Sequence, residues 1–594
     1  RACKRKGIQP IIGMTVTVAA PEKRPRVHAA MGATDGPARL PGQLVLLATG
    51  LPGYRSLCKL SSMIQANPER EILASRGLNW GDLAKYRDGL ICLSGGRRGW
   101  VERYIRSGEL QAAAQYAGRL SDIYENNVFL SLELHSDADL AIAEKVRALG
   151  GQLGLDTAAV QPVYCLSAQE QSRLPLLRAI DLNVPLQEVP RTSLAGGGDS
   201  QVSLDWLQKE EIDQRFAAFP EAVAMAAEIA NQCGPALPAG SLVWPELDLP
   251  RGRHPDGALS ALAADGLDRL YGHRVARRVE ARLGEELLAI ARFGYAPLFL
   301  VVADIARYAR QAGIPVNTRG SVANSLVAYC IGITNVDPIA HDLLFERFLN
   351  PARADLPDID LDLCSRRRDQ VLKYVRRKYG RDHVALVSTV STLRPRSAVR
   401  ETAKAYGLGE TQIKHLVSQL PRGWHPDPRR RTVHNVEDVL GGLQEPKLRE
   451  VVREAYEVIG QPQHLGIHPG GVVITPGPLT DLVPLQWAPK GFLITQYDHH
   501  DVEAIGLPKI DLLGVRALTV LAKAESLVQH HHDANFRLDQ IPADDPRTQS
   551  MLLNAETVGV FQCESQGARS TLRKLQARTV RDLAVANAFF KPGP

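Results

Sequence analysis

The sequence predicts a multidomain protein of mixed α/β and α+β class, on three observations. Its 594 residues far exceed one domain of roughly 100–200, and 44% of them are hydrophobic, enough for several cores. Short apolar runs alternate with helix-like polar stretches up to about residue 240, the pattern of an α/β domain. Farther on, strand-like runs stop at a basic helical stretch and resume after it, as an insertion within one sheet domain would produce.

The first domain, 1–240, reads as strands in PIIGMTVTVA, QLVLLAT, GLICLSGG and VFLSLEL, with a helix in RSGELQAAAQYAGRLSDIY. CGPALPAGSLVWPELDLPRGRHPDG, rich in proline and glycine, then breaks the periodicity as a linker does. Residues 256–313 are helical in pattern, and FGYAPLFLVVADIARYARQAG ends on Gly313. A basic helical stretch over 391–463 contains the loop PRGWHPDPRRR, and strand-like runs return over 468–517 in GGVVITP, FLITQYD and LPKIDLLGV. No run of about 18 apolar residues is free of charge, and the first residues lack the order of a signal peptide. The eight cysteines stand singly, with no C-x-x-C pair and no zinc-type spacing. The expectation is a soluble, cytoplasmic protein with reduced thiols and no membrane partner. A net charge of +6 is too small at this length to name a partner by itself.

The chemistry concentrates near residue 360. LPDIDLDL sets Asp358, Asp360 and Asp362 at alternate positions, so on a strand the three carboxylates share one face. A solvated acidic edge strand is the plainer reading of a lone D-x-D. Asp511, inside the apolar run PKIDLLG, shifts the balance, because a carboxylate there needs a partner. Two carboxylates from one strand and one from a neighbour suit a pair of Mg²⁺ ions about 3.5–4 Å apart, an arrangement that activates a hydroxyl and stabilises a phosphate leaving group.

Phosphate ligands are expected beside these acids. Arg319, Gly320 and Ser321 precede the helix-like VANSLVAYCIG, so Ser321 is expected to cap that helix and leave free amides facing an anion, although such caps are common without a ligand. Lys509, two residues before Asp511, is either a phosphate ligand or the salt-bridge partner of that acid. SRRRDQVLKYVRRKYGRDH carries eight Lys and Arg against two Asp; such a helix is commonly just a solvated face, but its position makes a nucleic-acid backbone track the sharper reading. Its candidates are Arg366, Arg367, Arg376 and Arg377, followed by Arg394 and Arg396, with Arg400, Arg422 and Arg429–Arg431 extending the basic run.

RGS, FERF and PDIDLDL in that order, then HPGGVVITP, TQYDHHDVEAIGLPKIDLLG, VFQCESQG and FFKPGP, resemble the bacterial C-family DNA polymerases, the class of the polymerase III alpha subunit. The resemblance is strong from about 290 to 594 and looser before. It implies a polymerase-and-histidinol-phosphatase (PHP) domain at 1–240, a polymerase-beta-like nucleotidyltransferase palm at 241–390 and 464–517, a helical thumb at 391–463 and the start of helical fingers at 518–594. It makes Asp358, Asp360 and Asp511 the catalytic, metal-binding acids, with Asp362 supporting them or binding metal itself, and gives the triphosphate to Arg319, Gly320, Ser321 and Lys509. The implied cofactor is Mg²⁺, two ions, with Mn²⁺ as its substitute in vitro. The implied partners are primer-template DNA, deoxynucleoside triphosphates and, through regions absent here, a sliding clamp and other replisome or translesion proteins.

The same resemblance implies a chain cut short at both ends, without the first metal-ligand motif of the PHP domain and without most of the fingers, and Lys591 stands where the family usually has arginine. Only His28 and His135 precede residue 240, so a structural PHP domain without phosphoesterase activity is expected. RPRSAVR and GSVANS lean towards the error-prone, damage-tolerant branch. A DNA-binding scaffold that has lost catalysis and, more remotely, a PHP metal phosphoesterase are the alternatives.

Overall fold

The computed structural model describes residues 2–19, 41–199, 202–249, 252–350, 359–420, 436–542 and 544–590. His28, Asp358, Arg422, Arg429, Arg430, Arg431 and Lys591, all singled out above, lie outside the described residues. The chain forms two compact units, 1–246 with 379–509 and 247–378 with 510–594. The described strands are β1 (Gly13–Val18), β2 (Gly42–Ala48), β3 (Leu90–Leu93), β4 (Val128–Glu133), β5 (Thr157–Val160), β6 (Val316–Arg319), β7 (Asp360–Cys364), β8 (Val384–Thr392), β9 (Pro462–Ile474), β10 (Leu485–Ala488), β11 (Phe492–Asp498) and β12 (Lys509–Val515).

In the first unit, β1 to β5 form a sheet in sequence order. The first two pairings are antiparallel and the last two parallel. The residues explain the placement: β2 alternates buried and half-buried positions, whereas all four residues of β3 are buried, as expected of a strand covered on both faces. The helix Leu110–Tyr124 turns Ala113, Tyr116, Ala117 and Leu120 into the core around the fully buried Trp100. Gly53 opens a close approach there, since a Cβ would lie 2.0 Å from the Gly89 carbonyl oxygen.

The remainder of this unit holds β10, β11, β8 and β9 in that order and a separate helical core. That core joins Pro395–Ala405, Glu410–Gln419 and Pro446–Glu457 to an earlier helix, Leu174–Leu182, through Leu176 and Ala179. An ion pair of 2.6 Å between Arg173 and Glu457 closes its edge. Periodicity in the sequence does not reveal that a helix near residue 180 packs on helices more than 200 residues away.

In the second unit, β12 and β6 flank β7, parallel and antiparallel respectively. The helices needed below are α1 (Arg277–Arg292), α2 (Ala296–Gln311), α3 (Leu326–Cys330) and α4 (Arg368–Tyr379). Proline in the first turn of α2 suits its start, and Gly313, at φ +63°, follows its end. Helices from Arg516 to Phe590 gather a small core around Ala555, Cys563, Leu572 and Ala586. No single described helix is long and apolar enough to cross a membrane, and all eight cysteines are free of disulfides.

Candidate active site

The strand expected in LPDIDLDL forms as β7, where Leu361 and Leu363 are fully buried and Asp360 and Asp362 occupy the alternate, half-buried positions. In β12, Asp511 stands between the buried Ile510 and Leu512 and is itself only 6% exposed. The parallel register pairs Asp511 with Asp360 directly. Two carboxylates at paired positions of neighbouring strands repel unless a cation offsets them, and the Oδ1 atoms of both are shielded from solvent. An all-oxygen donor pair on two rigid strands fits a hard divalent cation. Among the described residues, no three His, Cys, Asp or Glu side chains gather to hold a metal.

Asp362 is engaged by protein. Arg319 donates to its Oδ1 from Nε at 3.0 Å and from Nη2 at 2.7 Å, an anchoring that follows from the antiparallel pairing of β6 with β7. The next residue, Gly320, has φ +82° and nothing within 4 Å of where a Cβ would stand, so this turn is open on that side.

The expected cap is corrected. Gly320–Asn324 forms a 3₁₀ turn, and Ser325, not Ser321, caps α3 by accepting from the Ala328 N–H at 3.1 Å. The amides that follow are not open to an anion, because Glu286 of α1 accepts from Val327 N–H at 3.1 Å and from the Leu326 N–H. Glu286 also accepts from the Ser325 hydroxyl at 2.8 Å and from Arg282 Nε at 3.0 Å. Burial pushes its carboxyl up, against the pull of these donors. Neither Glu286 nor Arg282 was singled out from the sequence. The signal was there: Val279, Leu283, Glu286 and Ile290 are the buried positions of α1 at helical spacing, so a carboxylate sits on the apolar stripe.

The basic residues divide. Arg366 and Arg377 are exposed. Arg367 is partly spent on structure, donating to the carbonyls of Ala312 and Gly313 at the end of α2 at 2.8 Å each. Arg376 is half-buried. Arg394 and Arg396 belong to the first unit and are exposed, with Arg396 donating to the Val417 carbonyl at 3.2 Å. Lys509 also falls in the first unit, where a Cβ at Gly471 would come within 3.0 Å of its Cδ.

Residues 257–514 match the bacterial DNA polymerase III alpha NTPase domain, 517–594 the finger domain of the same subunit, and 1–135 the PHP domain. Over 597 residues the chain is 33% identical to the DNA polymerase III subunit alpha of Bacillus subtilis (strain 168), covering 100% of this chain and 51% of that protein. The chain belongs to the DNA polymerase III alpha and error-prone polymerase family. An error-prone DNA polymerase of Symbiobacterium thermophilum is 36% identical over 93% of this chain and 51% of its own length, and one of Mycobacterium bovis is 34% identical over 93% and 49%. The chain thus spans about half the length of the curated relatives it matches.

In this family member, four side chains among the described residues of the PHP domain, Glu102, Glu133, His135 and Asp139, are engaged by protein partners. His135 Nε2 lies 2.8 Å from Glu133 Oε1, while Glu133 Oε2 accepts from the Arg97 N–H at 3.0 Å. Arg106 Nη2 bridges Glu102 at 2.6 Å and Asp139 at 2.8 Å. Burial pushes the Glu102 carboxyl up to about 7, with Arg106 opposing. Burial also acts to raise Asp139, but the Arg106 hydrogen bond and the His135 N–H together hold it below the usual range. A guanidinium is thus already counter-ion to Glu102 and Asp139, which as they stand do not offer themselves to a divalent metal.

Proposed function

We propose that the chain carries the polymerising centre of a template-directed DNA polymerase, joining deoxynucleoside triphosphates to a primer 3′-hydroxyl. The direct pairing of Asp360 with Asp511 on adjacent strands carries this reading. Asp358, Asp360 and Asp511 would hold Mg²⁺, which would supply Lewis-acid activation of the hydroxyl and charge neutralisation at the phosphates. Asp362 acts through Arg319, fixing the guanidinium beside the open Gly320 turn, where Arg319, Gly320 and Ser321 would receive the triphosphate. Lys509 assists with phosphate, and Arg366, Arg367, Arg376, Arg377, Arg394 and Arg396 hold the DNA backbone without reading its sequence. Asp304 accepts from Tyr374 and Lys378 at 2.9 and 2.6 Å and so docks α4, the helix bearing Arg376 and Arg377, onto α2.

The reading brings with it primer-template DNA as partner, a cytoplasmic setting, and a sliding clamp and replisome or translesion proteins. RPRSAVR and GSVANS favour the error-prone branch within it. The N-terminal domain is structural on this reading, because only His28 and His135 precede residue 240 and Arg106 occupies Glu102 and Asp139.

The test is Mg²⁺-dependent extension of a labelled primer-template by the chain and by Asp360→Ala and Asp511→Ala. Extension by the parent, lost in both variants with DNA affinity kept, is the expected result. Extension that survives both substitutions would overturn the assignment, and binding without any incorporation would favour a DNA-binding scaffold.

A further inference from the structure

Glu286 is 1% exposed and lies on the apolar stripe of α1, where a carboxylate is costly and leucine would serve packing better. The hydrogen bonds given above for this side chain run to its own helix neighbour Arg282 and to the short segment Ser325–Val327. Arg282 continues the connection, donating from Nη2 to the Asn324 carbonyl at 2.8 Å. Asn324 in turn donates from Nδ2 to the Ser321 carbonyl at 2.8 Å. A polar network, buried at Glu286, Asn324 and Ser325 and partly buried at Arg282 and Ser321, therefore runs from α1 through both ends of the 3₁₀ turn to the residue beside Gly320. Such networks select one conformation of the segment they bind, because each alternative leaves a buried charge or carbonyl unsatisfied.

We propose that Arg282 and Glu286 are positioning residues for nucleotide binding, holding the Gly320–Ser325 turn in the shape that receives the triphosphate. The proposal rests on the reading of that turn given above. Neither residue touches the nucleotide. Their effect should therefore fall on nucleotide affinity, with turnover at saturation and DNA affinity nearly unchanged.

The experiment measures binding of magnesium dATP to the chain with a dideoxy-terminated primer-template offering a template thymine, and steady-state extension of the matching unterminated primer. Arg282→Ala breaks the link to Asn324 while Glu286 keeps its donors from Ser325, Leu326 and Val327, so folding should survive. Glu286→Gln keeps shape and acceptors while removing charge. Leu283→Ala, at a buried position of the same helix, loosens packing without touching the network. Loss of a hydrogen bond to a charged group predicts a rise of about tenfold or more in the dissociation constant and KM for dATP in Arg282→Ala, and a smaller rise in Glu286→Gln. kcat and primer-template affinity should stay within about twofold in both, and Leu283→Ala should leave KM within about twofold even where its melting temperature falls.

Two results would sink the proposal while leaving the polymerase reading intact. One is parental dATP affinity in both network variants. The other is a KM rise in Leu283→Ala equal to that in Arg282→Ala, which would mean general softening of the helix. A parent chain that binds primer-template but no dATP would overturn the nucleotide reading of the turn, and this proposal with it.

Discussion

Replacing Arg106 with methionine removes the cation shared by Glu102 and Asp139, whose side chains are each only 4% exposed. The methionine fills much of the same volume, so the main loss is charge compensation. Stripping one partner from a buried ionic cluster typically costs about 3–5 kcal/mol, because the remaining charges cannot reach water. The loss should depend on pH. Glu102, already pushed up to about 7 from 4.5, rises further without Arg106 and can escape the penalty by taking a proton. A carboxyl whose folded pKa is raised contributes stability that is present below its unfolded value and lost as pH rises through the folded one, so the deficit is largest above pH 7 and shrinks towards pH 5.5. Asp139 has the opposite sign: its lowered pKa adds stability at both pH values, so its share of the loss is common to both and the difference between them comes from Glu102. Glu133, Arg97 and the neighbouring His135 also face the cluster and stay unchanged between parent and variant. Hydrogen exchange over Trp100–Arg106 and Leu140–Leu153 reads the effect locally, which suits a multidomain chain that need not unfold in one step. Exchange there should quicken by roughly two to three and a half orders of magnitude at pH 8, corrected for intrinsic rates, and by much less at pH 5.5. A change below about tenfold at pH 8, or one equal at both pH values, would refute the view that Arg106 is the counter-ion of this pocket.

Two further outcomes concern the second unit. Gly266→Ala places a Cβ 2.0 Å from the Cys330 carbonyl oxygen and should destabilise this unit by about 1–3 kcal/mol, whereas Gly257→Ala in the same helix, with nothing within 4 Å, should be neutral or slightly stabilising; chemical denaturation of the two side by side checks the contrast. Arg319→Ala breaks the pair with Asp362, but with Arg319 43% exposed the stability loss should stay below about 1 kcal/mol, so a large rise in the KM for nucleotide without a matching fall in melting temperature is expected.

The sequence by itself determined the elements that local rules govern. Alternation in LPDIDLDL put Asp360 and Asp362 on one side of a strand because side chains alternate along any extended backbone, and the apolar neighbours of Asp511 marked that carboxylate as buried. Motifs in a fixed order carried the family. The cap of α3 was misplaced by four residues, since Ser321 and Ser325 look alike in sequence and a 3₁₀ turn intervenes. Glu286 was visible as a carboxylate on an apolar stripe, yet its partners on the turn could not be read from spacing. Only the tertiary structure decided the register that sets Asp511 against Asp360, the pairing of Arg319 with Asp362, and the reach of Arg106 to Asp139. Each joins residues from separate segments, and strand pairing and buried charge compensation are fixed by which surfaces meet in space, a condition that no local periodicity encodes.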